Sequence, residues 1–219
     1  MPTRTPRPRT PRWQRRPDAR PEEILEAALQ VFDAQGYARA RLDDVARKAG
    51  VSKGTLYLYF ESKDALFREV VRATKGQALT GAEAMMEQFE GTSREALTLL
   101  MRRMWSHMND PRHASVSRLV QSEIKGFPEL ARFYADEVVF RARRLLESVL
   151  ARGVARGEFR AEQARFAARA IPALAIQLSA PTCFHQAYDP DPLSNDALVE
   201  GAIDLVLNGI SITPPQGAR

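Results

Sequence analysis

Residues 41–63 read RLDDVARKAGVSKGTLYLYFESK, and this stretch decides the fold. Leu42, Val45, Ala46 and Ala49 recur at helical spacing, so a first short helix has one face to bury. Gly50 stands where that helix would end in the left-handed region, a conformation without steric cost for glycine. Val51 is the apolar plug of the turn. Ser52 is a residue type that caps a new helix, with Lys53, Gly54 and Thr55 in its first turn. On this second helix Leu56 and Phe60, four apart, point inward and leave Thr55, Tyr57, Leu58 and Tyr59 around the rest. Two helices joined by a short Gly-containing turn make a helix-turn-helix, whose second helix enters a DNA major groove by its N-terminal residues.

The string AGVSKGTLYLYFESKDAL, residues 49–66, resembles the DNA-binding signature of the TetR family of bacterial transcriptional regulators. The preceding PEEILEAALQVFDAQG, residues 21–36, is similar to that family's first helix. Farther on the likeness is looser, with QSEIKGFPELARFY, residues 121–134, resembling the subgroup often linked to drug-efflux genes. One departure stands out: Ala40-Arg41-Leu42 occupies the place where members usually carry Thr, so Arg41 would reach a phosphate in place of a hydroxyl. The resemblance implies an all-α fold of about nine helices. A three-helix DNA-binding domain would span residues 21–80, with its motif at about 41–60, and a larger ligand-binding and dimerisation domain would span 81–219. It also implies a repressor released from a palindromic operator by a small apolar or aromatic molecule.

Composition agrees with a single soluble regulator. A chain of 219 residues with 44% apolar residues suffices for a core. The lone cysteine, Cys183, permits no internal disulfide and suits a reducing cytoplasm. No apolar run approaches the ~20 residues of a spanning helix, so no membrane partner is expected. The net charge of +5 is unevenly placed: residues 1–21 hold seven arginines and one acid, Asp18. Six prolines in the same stretch oppose a helix, and little there can join a core, so residues 1–20 are expected to form a disordered basic arm. Such an arm is either a phosphate-seeking tail or a solvated extension.

Helical periodicity continues beyond the reading head. Ser62 can cap a fourth helix running to about Glu90, and Thr92-Ser93 a fifth carrying Leu97, Leu100, Met101, Met104, Trp105 and Met108. After the Asn109-Asp110-Pro111 break another helix ends at Gly126, and Pro128 opens a long one whose stripe includes Ala131, Tyr134, Val138, Ala142, Leu145 and Val149. Two last helices are expected at about Glu162–Ala180 and Ser194–Ile210. The first carries small residues along one side, so a partner backbone can come close, and the second is apolar around much of its girth and needs burial from two sides. Burial within one body or a four-helix interface between two copies would provide it, and the resemblance implies the homodimer.

The residues expected to meet double-stranded DNA are Arg41, Ser52, Lys53, Gly54, Thr55, Tyr57, Leu58, Tyr59 and Lys63. The lysines and first-turn amides serve phosphates, Gly54 permits close approach, and Thr55 and Leu58 face base edges. Tyr59 reads equally as a core residue. A small-molecule pocket is expected among Met101, Met104, Trp105, Met108, Phe127, Phe133, Ile176, Gln177 and Phe184, because methionine-rich walls adapt to varied apolar ligands. The competing reading is ordinary core. No catalytic residue, cofactor or metal is expected: the Cys183/His185 neighbourhood has no ligand spacing, and no phosphate loop or nucleophile elbow occurs. Three functions compete: a ligand-gated regulator, a ligand-independent DNA-binding protein of the same fold, and an α-helical enzyme with a misleading motif.

Overall fold

The computed structural model describes residues 21–179, 188 and 190–211. The basic arm, Cys183, Phe184 and His185 lie outside the described residues. The chain divides into two compact units, the first ending at Val70 and the second beginning at Val71.

The first unit contains α1 (Pro21–Gln35), α2 (Leu42–Ala49), α3 (Lys53–Tyr59) and α4, which begins at Lys63 and runs to Val71. Its core is aromatic at one end. Phe32 of α1, Tyr37 of the following turn and Phe67 of α4 meet with ring centroids 5.4–6.3 Å apart, in tilted and edge-on arrangements that favour such rings. Ile24, Val45, Val51 and Leu56 complete it, each buried. Gly50 is left-handed at φ 73°, and the amide of Val51 donates to the Ala46 carbonyl at 2.9 Å, closing α2 as expected.

The compact unit stops ten residues short of the expected boundary at 80, and the burial pattern explains why. Leu66, Phe67 and Val70 are buried within the first unit. The buried Lys75 instead donates to Ser117, far along the second.

The second unit opens with a π-helical turn at Arg72–Gly76, followed by α5 (Gln77–Glu87), α6 (Ser93–Asn109) and α7 (Pro111–Ser122). A 3₁₀ turn leads to α8 (Pro128–Tyr134), a second π turn covers Ala135–Val139, and α9 (Phe140–Ala155), α10 (Ala161–Leu178) and α11 (Asn195–Ile210) follow. With each π turn counted into the helix it interrupts, the described residues form nine helices. They contain no strand, only an isolated bridge between Phe159 and Ser211.

Local sequence explains the boundaries. Thr92 and Glu95 form a reciprocal capping box at the start of α6, and Asp110 accepts from the amides of Arg112 and His113 ahead of Pro111. The core joins Leu97, Leu100, Met101 and Trp105 of α6 to Leu146, Val149 and Leu150 of α9, Ala168 and Ile171 of α10, and Ile203 and Val206 of α11. Arg141 clamps α9 to α5 through a two-pronged contact with Glu83 at 2.7 and 2.5 Å.

Candidate functional site

The face of α3 is built from its cap outward. The Ser52 hydroxyl accepts from the Thr55 amide at 3.0 Å and lies 2.8 Å from the Thr55 hydroxyl, so both hydroxyls are engaged in starting the helix. Leu56 and Phe60 are buried as the spacing required. Leu58 is 84% exposed, and Tyr57 and Tyr59 are about half exposed, at 45% and 50%. Tyr59 touches Phe60 at 6.3 Å between centroids, which leaves its ring on the surface beside the core and not within it. Large hydrophobic side chains held in water on one short helix mark a contact face.

Lys53 projects from the first turn of α3, where its ammonium pairs with Asp43 of α2 at 2.8 Å and lies 5.9 Å from the Tyr57 ring. The Asp43 hydrogen bond raises its pKa, so it is a cation at any physiological pH. Gly54 has no conformational need to be glycine. A Cβ there would meet only the Ser52 hydroxyl, at 3.7 Å, an ordinary contact. Arg41 is the N-cap of α2 but its side chain makes no capping bond, consistent with the missing threonine.

Lys63 departs from expectation. Its ammonium donates to the carbonyls of Tyr37, Ala38 and Ala40 at 2.7, 3.2 and 3.1 Å and lies 4.5 Å over the Tyr37 ring. A cation holding three carbonyls ties α4 to the turn between α1 and α2, a structural role that competes with the phosphate contact expected of it. Tyr37 itself was not singled out by the sequence pattern. It is buried, its hydroxyl donates to Asp64, and burial followed by that bond pushes the phenol pKa far up. A tyrosine just after the Gly36 turn, paired at a distance with Ser-Lys-Asp, is the signal that marks it.

The second unit encloses a cavity of about 340 Å³. Its walls come from the first π turn and α5 (Lys75, Leu79, Ala82), α6 (Arg103, Met104, His107, Met108), α7 (His113), α8 and the second π turn (Tyr134, Val138), α9 (Ala142, Arg143, Leu146) and α10 (Ala168, Pro172, Ile176). Of the expected pocket residues, Met104, Met108 and Ile176 line this cavity. Met101 and Trp105 do not: both are buried in the core, on the side of α6 turned toward α9 to α11. Phe127 and Phe133 are also absent from the walls, Phe133 lying 5.2 Å from the guanidinium of Arg72. Gln177 is absent too, facing a different groove. The helical period of 3.6 cannot say which side of an apolar helix meets a void and which meets a neighbour, and α6 is apolar on both.

One corner of the cavity is polar. Lys75 is 5% exposed and donates to the Ser117 hydroxyl at 2.9 Å. Burial lowers its pKa to about 8 against the opposing pull of Asp110. His107 and His113 stack edge to face at 4.7 Å, and burial with neighbouring positive charge lowers both, His113 to about 4. Among the described residues, His107 Nε2, His113 Nδ1 and Arg103 Nε are buried without a hydrogen-bond partner.

A separate shallow groove runs along α10 and α11 between Phe166, Ala170, Ala173, Leu174, Gln177, Leu205 and Gly209. Phe166 and Leu205 are 74% and 67% exposed there. Among the described residues no group of three or more histidines, cysteines or acids is gathered as a metal would need. None of the helices is long and apolar enough to cross a membrane.

Comparison with known proteins now bears on these features. The model of the tetR family of bacterial regulatory proteins matches residues 24–70. That of the AefR-like transcriptional repressor C-terminal domain matches residues 95–209, more than half of the chain. The fatty acid metabolism regulator protein of Bacillus subtilis is 26% identical over 138 residues, covering 63% of this chain and 70% of that one. The regulator EthR of Mycolicibacterium smegmatis is 28% identical over 131 residues, covering 58% and 59%. Among solved structures, the regulator FadR of Bacillus subtilis in complex with stearoyl-CoA superposes with a TM-score of 0.71 at 23% identity, over 86% of this chain and 98% of that one. A regulator from Saccharomonospora viridis in complex with choline gives 0.71 at 23% identity, over 88% and 98%. With its reading head and most of its second unit both matched, the chain belongs to the tetR family and is a DNA-binding transcriptional regulator.

Proposed function

We propose that this regulator is a cytoplasmic repressor that grips a palindromic operator as a homodimer and lets go when a small molecule fills the cavity of its second unit. The observation that supports release by a ligand is the cavity itself: an interior of this size is costly to leave unfilled in a helical body, and its apolar walls with a few convergent polar groups suit a small ligand. Arg41, Lys53 and the first-turn amides of α3 are assigned to phosphates, and Thr55, Tyr57 and Leu58 to the groove, with Gly54 setting the distance of approach. The exposed α10/α11 groove supports dimerisation, because one short helix reads only a few base pairs and two-fold symmetry doubles them. The fold does not choose the ligand, since two of the similar structures hold compounds as unlike as stearoyl-CoA and choline.

A ligand releases DNA only if it binds the DNA-incompetent state more tightly, and a coupling of about 1–3 kcal/mol corresponds to about 5–150-fold weaker operator binding. The test is operator affinity of the wild type and of Met104→Trp, which fills the cavity in advance, across a panel of small apolar, aromatic and charged compounds. At least one compound is expected to weaken wild-type binding within that range and to lose its effect on the variant. If no compound shifts either protein, the ligand-independent reading replaces this one.

A further inference from the structure

The cavity has a chemical direction that its size alone does not convey. Among the described residues, every ionisable side chain lining it is basic, a histidine or a phenol, and no carboxylate is among them. Among the described residues the buried ammonium of Lys75 has a single hydrogen-bond acceptor, the Ser117 hydroxyl, although it carries three donors. That hydroxyl in turn donates to the His113 carbonyl at 3.1 Å. Among the described residues no carboxylate lies within ion-pairing distance of Lys75. Asp110, the acid whose field reaches it, is held at the N-terminus of α7 as a cap. Beside the ammonium lie the unpartnered nitrogens of His107, His113 and Arg103. A desolvated cation among unused donors, opening onto Leu79, Met104 and Leu146, is half of an ion pair awaiting an apolar-tailed partner.

We propose that the effector is an amphiphile with a carboxylate head, its charge met by Lys75 and the His107/His113 corner and its hydrocarbon tail lying along the apolar wall. The inference rests on the reading of the cavity as the effector site and specifies the chemistry of what enters. A cationic head would stand against the buried positive charge of Lys75 and the partly buried one of Arg103 and is excluded by the same geometry. A neutral head would satisfy the histidines and leave the ammonium uncompensated.

The test is calorimetric binding of decanoate, decanol and decyltrimethylammonium to the full chain at pH 7, with operator affinity measured in parallel. Decanoate is expected to bind at least tenfold more tightly than decanol, and the ammonium compound not at all. Lys75→Met should bring decanoate down to the affinity of decanol and leave decanol unchanged. As a second measurement on the unaltered protein, raising the pH from 7 to 10 takes the proton from Lys75 and should weaken decanoate tenfold or more without moving decanol. Of the other groups around it, burial holds His107 and His113 below the ordinary imidazole range, so both are neutral throughout, and Asp110, Glu137, Arg103, Arg143 and Arg169 complete the set. Tyr134 is pushed up to about 12 by burial and stays protonated. Equal binding of decanol and decanoate, absence of decanoate binding, or a preference that survives Lys75→Met and the pH change would overturn the inference. Decanoate that binds with this preference while the operator stays bound upholds the inference and removes the release reading. Release by an uncharged compound in preference to decanoate does the reverse.

Discussion

At the scale of single residues, Gly54 carries the sharpest functional information because the protein gives it no reason to exist. Its φ is not positive, and a Cβ would sit in ordinary contact with Ser52. Gly within a helix costs roughly 0.5–1 kcal/mol relative to Ala. Gly54→Ala is therefore expected to leave the fold intact and raise thermal stability slightly, while weakening operator binding at least tenfold, about 1.4 kcal/mol. Melting temperature and operator affinity, measured on the same preparation, check both halves. Unchanged affinity would remove the glycine from the DNA face. Lys53 is a different kind of residue. Its exposed pairing with Asp43 is a surface ion pair worth little, so a phosphate competes for the same ammonium on favourable terms.

At the scale of elements, α4 is locked to the turn between α1 and α2 by Lys63, Asp64 and Tyr37, and this lock holds the helix-turn-helix to its support. Lys63→Met removes three charge-assisted bonds and leaves their carbonyls to find other donors, which is expected to cost about 2 kcal/mol. A denaturant titration of the variant should show the loss, and operator affinity should fall only as far as the head unfolds. A large loss of affinity from a fully folded variant, with a shallower salt dependence, would restore the phosphate role instead.

The same elements show how far the sequence could be read. Gly50, Ser52 and the Leu56–Phe60 pair announced their roles locally, because turn chemistry and the inward face of one short helix need only neighbouring residues. Lys63 and Tyr37 are twenty-six residues apart, and a contact over that distance leaves no periodic trace. The cavity was legible as a cluster on α6 and α10 but not as a surface. Met104 and Met108 face it while Met101 and Trp105 face the core, a choice made by neighbouring helices. Lys75 escaped notice because a single lysine on a helix ordinarily reads as solvated. Only Ser117 and the histidines packed around it reveal that it is buried.

At the scale of the whole molecule, the groove along α10 and α11 is the proposed contact between two copies. Phe166 and Leu205 stand in water beside Ala170, Ala173 and Gly209, small residues that let a partner backbone come close. Leu205→Glu is expected to convert a dimer to a folded monomer, seen by sedimentation with unchanged helical circular dichroism. Affinity for a palindromic operator should collapse while that for a single half-site persists. A variant that stays dimeric would move the interface elsewhere.

The second π turn, Ala135–Val139, has a consequence for angular phase. Tyr134, Val138, Ala142 and Leu146 all line the cavity, and they succeed one another by strides of four. In a pure α-helix of 3.6 residues per turn each such stride overshoots by about 40°, so three of them would swing the last side chain roughly 120° away from the first. A turn closed by i→i+5 bonds holds more residues per revolution and absorbs much of that overshoot. The wide turn thus works as a vernier. It resets the helix by a fraction of a revolution, so that a stripe written with the wrong period for a straight helix still lines one wall from end to end.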